Sequence, residues 1–267
     1  MDNMSITTLA GFVGLAIGLL FGAVTHRTNF CTMGAVADAV SFSDYGRARA
    51  WMLAIAVAII GAQSLQFAGL IDLKNSIYLS ANLNWLGGII GGLIFGFGMV
   101  LGSGCPGRNL ARVGGGDLKA LIVLIIVGLV AYMTLRGITG PVRLALENAT
   151  QVNMSTLGFA DHGMATIVAT AIGLSGDTAA MIVAGVFVVG LLAFCFKSAE
   201  FRASPNNIAA GLGIGALITA GWWATGVLLA DEFDPQPLAS LTFVAPAGNS
   251  LQYLMTYTGT TINFGIA

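Results

Sequence analysis

The sequence predicts an all-α, polytopic integral membrane protein, and three observations carry that expectation. Of the 267 residues, 56% are hydrophobic and only 9% charged, with a mean hydropathy of +0.86. A soluble domain carries about 25% charged residues, so this chain has too little charge to cover a water-facing surface. Uncharged runs of the length a bilayer requires, about 20 apolar residues, recur along it, as in NWLGGIIGGLIFGFGMVLG from Asn84 to Gly102. The 37 glycines lie inside such runs, which fits close helix packing in lipid rather than disorder. The length suits one helical bundle, a single transmembrane domain over residues 1–267.

Six full spans are expected, at roughly 8–25, 51–71, 84–102, 118–135, 178–196 and 207–229. No Lys or Arg precedes the first run, so it lacks the positive n-region of a signal peptide and reads as a retained span. Residues 137–175 mix apolar and polar turns without charge density, and 239–267 hold no charge at all. The latter reads as re-entrant or partly buried backbone, tolerated at membrane depth only where protein or a water-filled cavity covers it. Orientation follows from Lys and Arg. Eight of the eleven fall in the odd-numbered connections: Arg27, Arg47, Arg49, Arg108, Arg112, Lys119, Lys197 and Arg202. The N-terminus is therefore expected outside the cytoplasm, with Asp231, Glu232 and Asp234 on the outer side.

The chain repeats itself. Displaced by 74 positions, Gly14–Cys31 (GLAIGLLFGAVTHRTNFC) aligns without a gap on Gly88–Cys105 (GIIGGLIFGFGMVLGSGC). Gly14, Gly18, Leu19, Phe21, Gly22 and Cys31 match Gly88, Gly92, Leu93, Phe95, Gly96 and Cys105. Both units enter the membrane in the same direction, which makes this a parallel duplication. Transporters are commonly built from such repeats, with the substrate site at the repeat interface on broken helices.

Each repeat unit ends in a cysteine. Three cysteines far apart make neither a disulfide framework nor a zinc site, and two distant histidines add no metal cluster. GSGCPG formally matches a dinucleotide fingerprint, but that signal needs a preceding strand and a βαβ unit; here a membrane span precedes it. The plain reading is a helix end, glycines allowing a turn and Pro106 opening the next helix. The functional reading adds an anion site. A helix starting near Pro106 points free N–H groups and its positive dipole end back at Cys105, with Arg108 and Arg112 one turn apart on one face. In the first unit His26 and Arg27 precede Cys31, where they also suit the cytoplasmic end of a span. A thiol is a weak donor, which suits a large, polarizable sulfur acceptor, and conduction needs release at every station. Cys195, between two phenylalanines in a plain span, reads as a small buried hydrophobe. Asp38 reads as a loop-facing cap.

At these residues the chain resembles the YeeE/YedE family of bacterial inner-membrane proteins, whose characterised members import thiosulfate. The resemblance rests on RTNFC (Arg27–Cys31), GSGCPGRNL (Gly102–Leu110), FVAPAGNSLQYLMTYTG (Phe243–Gly259) and the final INFGIA. It implies a conduit lined by cysteines on short broken helices, carried here by Cys31 and Cys105. The motif neighbours Asn29, Phe30, Ser103, Gly104, Pro106, Gly107, Arg108 and Asn109 are expected to shape the same stations. Family members continue past the INFG segment to a third glycine–cysteine motif, so the chain is expected to be C-terminally incomplete relative to the family.

The expected function is import of thiosulfate or a related sulfur anion across a bacterial inner membrane, by successive weak S–H contacts. No catalytic residue, cofactor or metal is expected, and the net charge of −1 argues against nucleic acid. Two alternatives belong to other classes: a membrane thiol enzyme forming a persulfide or cycling a disulfide, and a scaffold docking a small cytoplasmic sulfur-carrier protein on the basic inner face. Against the enzyme, neither cysteine belongs to a CxxC pair.

Overall fold

In a computed structural model the chain is described over residues 6–76, 78–230 and 238–256. The acidic cluster at 231–234 and the INFGIA segment lie outside the described residues. The architecture is α-helical: α1 (Ile6–Thr28), α2 (Thr32–Phe42), α3 (Gly46–Phe67), α4 (Trp85–Leu101), α5 (Pro106–Gly114), α6 (Leu118–Arg136), α7 (Gly140–Thr150), α8 (Met164–Ile172), α9 (Gly176–Phe196), α10 (Ala199–Arg202), α11 (Pro205–Trp223) and α12 (Val244–Met255). A two-residue strand β1 (Asn82–Leu83) pairs antiparallel with β2 (Val152–Asn153). Among the described residues six helical stretches are long and apolar enough to cross a membrane, in the order expected. Two of them, Thr8–Phe42 and Trp85–Gly114, join a long helix to a short one across a break, and those breaks carry the cysteines.

Sequence sets the helix ends. The Asn84 side chain caps α4 by accepting from Gly87 N at 3.1 Å, and Asp117 caps α6 by accepting from the Lys119 and Ala120 amides, satisfying donors that have no partner within the helix. Proline opens α5 and α11, where its missing N–H costs nothing. The second span begins earlier than the apolar run suggests. Helix α3 starts at Gly46, so Arg47 and Arg49 stand in its first turn. Arg49 lies over the Tyr45 and Phe194 rings, 5.7 and 5.4 Å from their centroids, which accommodates a cation at a helix otherwise apolar.

The buried core forms where α3 meets α9 and α11: Ala50, Leu53, Ala54, Cys195, Phe201, Ala210 and Ile214, joined by Phe30. Glycines let these helices close on each other. A Cβ at Gly215 of α11 would stand 2.6 Å from Val57 Cβ and 2.8 Å from the Ala54 carbonyl oxygen. Helix α12 lies on α6 in the same manner, with Gly128 and Gly248 at the contact. In contrast, α4 buries none of its residues; Leu93, Ile94 and Phe97 are open, as suits a surface wetted by lipid rather than water.

The mixed and re-entrant regions take short elements. Residues 140–150 form α7 and 164–172 form α8, with β2 and a 3-10 turn at Met154–Leu157 between them. After a five-residue π-helical turn at Ala224–Leu228, the chain at 238–243 is tied to α11. Ser240 Oγ donates to the Ile218 carbonyl at 2.6 Å, and Thr225 Oγ1 donates to the Ala239 carbonyl at 2.7 Å. Helix α12 has 12 residues, hence about 18 Å of length against a hydrocarbon core of about 30 Å. It is too short to cross.

Candidate functional site

The two breaks follow the same backbone course at the 74-residue spacing. Helix α1 ends at Thr28 and α4 at Leu101; Asn29 and Ser103 then both adopt a left-handed conformation with φ 53°. Each cysteine follows in an extended conformation as the N-cap of a short helix, Cys31 for α2 and Cys105 for α5. Gly104, at φ 156°, occupies a region only glycine enters cheaply. Asparagine tolerates the left-handed setting better than most residues, which accounts for Asn29.

The fold brings the two cysteines together. Their side chains are neighbours that act directly on each other. Backbone N–H groups of Gly34 and Cys105 approach the Cys31 sulfur, and those of Arg108 and Thr32 approach the Cys105 sulfur. Two helix N-termini therefore converge on one pair of sulfur atoms, each with its partial positive charge directed inward. Cys31 is buried and Cys105 half-buried; both are free thiols. Cys195 is elsewhere, in the core, its thiol donating to the Arg49 carbonyl at 3.2 Å, as a structural cysteine would.

The arginines divide. Arg108 Nη2 donates to Asn29 Oδ1 of the other break at 3.4 Å, and its charge acts on Cys31. It forms no ion pair among the described residues, so its charge is available to an anion. Arg112 does not share that role. Its Nε and Nη2 donate to Asp117 Oδ2 at 2.9 and 2.6 Å, and Nη1 donates to the Ser103 carbonyl at 3.2 Å and to Asn109 Oδ1 at 3.3 Å. The Arg112 hydrogen bonds hold the Asp117 carboxyl below the usual carboxylate range. A depressed carboxylate stabilises the fold above its unfolded-state pKa and loses that contribution as pH falls through the folded value, so the pair is complete at neutral pH. Asp38 is likewise an ion-pair partner rather than a loop cap: Arg47 Nε and Nη2 both donate to it, the latter at 2.6 Å.

The other motif residues serve the backbone. Asn109 is fully buried and its Nδ2 donates to the Gly102 and Gly104 carbonyls, each at 3.3 Å. Phe30 turns into the core and stacks on Trp51, ring centroids 4.8 Å apart. Pro106 and Gly107 are buried. Gly107 lies against Phe21 and Phe243 and faces a cavity of about 610 Å³ between α1, α5 and α12, on whose wall no cysteine stands. Trp51 was not legible as a site residue, since a tryptophan in a span carries no signal of its own; the aromatic beside Cys31 was the available clue.

A family model described as sulphur transport matches residues 27–267, beginning at the arginine of RTNFC. The chain belongs to the sulphur-transport family. This is the YeeE/YedE family indicated by the two cysteine motifs, a family of transporters rather than enzymes. Among curated proteins, the chain is similar to "Thiosulfate transporter TsuA" of Spirochaeta thermophila, 28% identical over 230 residues that make up 79% of this chain and 68% of that one. It is also similar to "Thiosulfate transporter TsuA" of Escherichia coli, 36% identical over 111 residues, 42% of this chain and 30% of that one. The sulphur-transport chain is thus a multi-pass membrane protein whose matched region contains both thiol-bearing breaks.

Proposed function

We propose that the chain imports thiosulfate, or a sulfur anion of the same size and charge, across a bacterial inner membrane with its N-terminus outside the cytoplasm. The observation that carries this reading is the meeting of Cys31 and Cys105 at two facing helix N-termini beside Arg108, which has no ion-pair partner among the described residues. Helix dipoles and a guanidinium attract an anion, while two weak S–H donors address its terminal sulfur without gripping it. The same geometry supports a single domain whose units around 14–31 and 88–105 are repeats, each supplying one wall of the station. The motif residues act unequally: Cys31, Cys105 and Arg108 face the passenger, while Asn29, Phe30, Ser103, Gly104, Pro106, Gly107 and Asn109 shape the breaks. A small sulfur-carrier protein docking on the cytoplasmic side is compatible with the basic connections there.

The test is growth of a sulfur auxotroph expressing the full chain with thiosulfate as its sulfur source. Thiosulfate is expected to support growth and sulfate is not; growth on neither would refute the reading. An arginine series sharpens it. Lysine keeps the charge of Arg108 but loses the planar fork, and glutamine keeps length without charge. Arg108→Lys is expected to retain part of the thiosulfate uptake. Arg108→Gln should lose most of it, about tenfold, the scale of one hydrogen bond to a charged group. Equal uptake by the Gln variant would reduce Arg108 to a topology signal.

A further inference from the structure

Asp38 and Arg112 occupy the same position of the 74-residue register with opposite charge. Asp38 joins α2 to Arg47 in the first turn of α3, and Arg112 joins α5 to Asp117 at the N-cap of α6. Each short cysteine-bearing helix is thereby fastened to the head of the following span, with the polarity of the fastening inverted. The two fastenings differ in a second respect. On the α5 side the network reaches the break itself: Asn109 holds the Gly102 and Gly104 carbonyls, and Arg112 holds the Ser103 carbonyl and Asn109 Oδ1. Three consecutive carbonyls, freed where α4 stops, are all engaged. On the α2 side position 109 corresponds to Ala35, which has no polar side chain, and the break is held instead by Phe30 packed on Trp51.

We propose that Arg112 is a positioning residue for Cys105: it transmits the anchored position of Asp117 through the Ser103 carbonyl and Asn109 to the backbone that aims the thiol at Cys31. Asp38 fastens α2 as a whole without reaching the carbonyls of its own break. Freed carbonyls in a membrane are costly unless partnered, and Ser103 in a left-handed conformation has a strained backbone to hold in place. One planar guanidinium satisfies the carboxylate, the Ser103 carbonyl and the amide oxygen together. A lysine ammonium has three donors on a flexible stem and no fixed fork, so it keeps the ion pair to Asp117 and does not fix the break.

The test reads thiol geometry without transport. In a Cys195→Ala background, copper–phenanthroline oxidation of membranes joins Cys31 and Cys105 as a disulfide, both thiols losing their protons and passing two electrons to the reagent; the cross-linked peptide is quantified by mass spectrometry per folded molecule. Arg112→Lys is expected to slow cross-linking about tenfold, the effect of removing a hydrogen bond to a charged group, while Asp38→Asn slows it less. A rate for Arg112→Lys equal to that of the parent, or an equal slowing by both variants, would overturn the proposal. If Arg112→Lys accumulates poorly, Asn109→Ala, which frees the Gly102 and Gly104 carbonyls while leaving the Arg112–Asp117 pair, must slow cross-linking in its place; an unchanged rate there overturns it equally. The role in transport rests on the proposed function and is read separately: thiosulfate uptake by Arg112→Lys should show a raised half-saturating concentration. Failure of uptake in the parent, with cross-linking behaving as stated, would count against the transport reading and leave the positioning intact.

Discussion

Cys105→Ala is expected to lower thiosulfate uptake at least about tenfold at unchanged abundance in the membrane, equivalent to roughly 1.4 kcal/mol of lost binding at the station. Cys195→Ala is expected to leave uptake near that of the parent. Both substitutions remove one sulfur atom, and the packing cost of a methyl-sized void is only about 1 kcal/mol. The difference between them therefore isolates what Cys105 does beyond filling space. Its side chain neighbours Cys31 at the N-terminus of α5, near the backbone of Arg108 and Thr32, whereas the Cys195 thiol donates to the Arg49 carbonyl within the core. Radiolabelled thiosulfate uptake into cells, normalised to membrane abundance, decides it. Equal losses would mean that packing is being measured.

The second large effect concerns the frame that holds the station. Gly215→Val is expected to reduce folded protein sharply, because its Cβ would stand 2.6 Å from Val57 Cβ and 2.8 Å from a backbone oxygen that cannot withdraw without moving α3. Overpacking of this kind typically costs about 1–3 kcal/mol, occasionally more. Gly92→Ala on α4 is the control: a Cβ there meets nothing within 4 Å, and alanine favours the helix. Thermal unfolding of the purified protein in detergent should show a lowered midpoint for Gly215→Val and an unchanged or raised one for Gly92→Ala.

These contrasts mark what the sequence made legible. The spans could be read because a bilayer demands long uncharged runs, and few other segments satisfy that demand. Breaks after Thr28 and Leu101 could be read because the same glycine and cysteine spacing occurs twice and Pro106 opens a helix wherever it stands. The repeat did not reveal that its two cysteines would meet, since a register places residues in equivalent settings without placing them side by side. The role of Arg112 was hidden for a related reason. Four residues after Arg108 on a short helix, it looks like a second anion ligand, and only the turn at 115–117 brings Asp117 back to neutralise it. Asp38 and Arg47 are nine residues apart across another turn and were equally invisible as a pair. Helices α7, α8 and α12 could not be read as helices because, at 11, 9 and 12 residues, each is too short to give the long uncharged run by which the spans declare themselves.

The central claim is that a sulfur anion rests between two intact thiols, and infrared spectroscopy of the S–H stretching band tests it most directly. In purified Cys195→Ala protein only Cys31 and Cys105 contribute to that band. Addition of thiosulfate should move the band to lower frequency as the S–H groups donate to the anion's sulfur, and sulfate should not; the shift should be weakened in Cys105→Ser. A band left in place at thiosulfate concentrations that saturate uptake, or one that disappears because the thiols are consumed, would contradict the account.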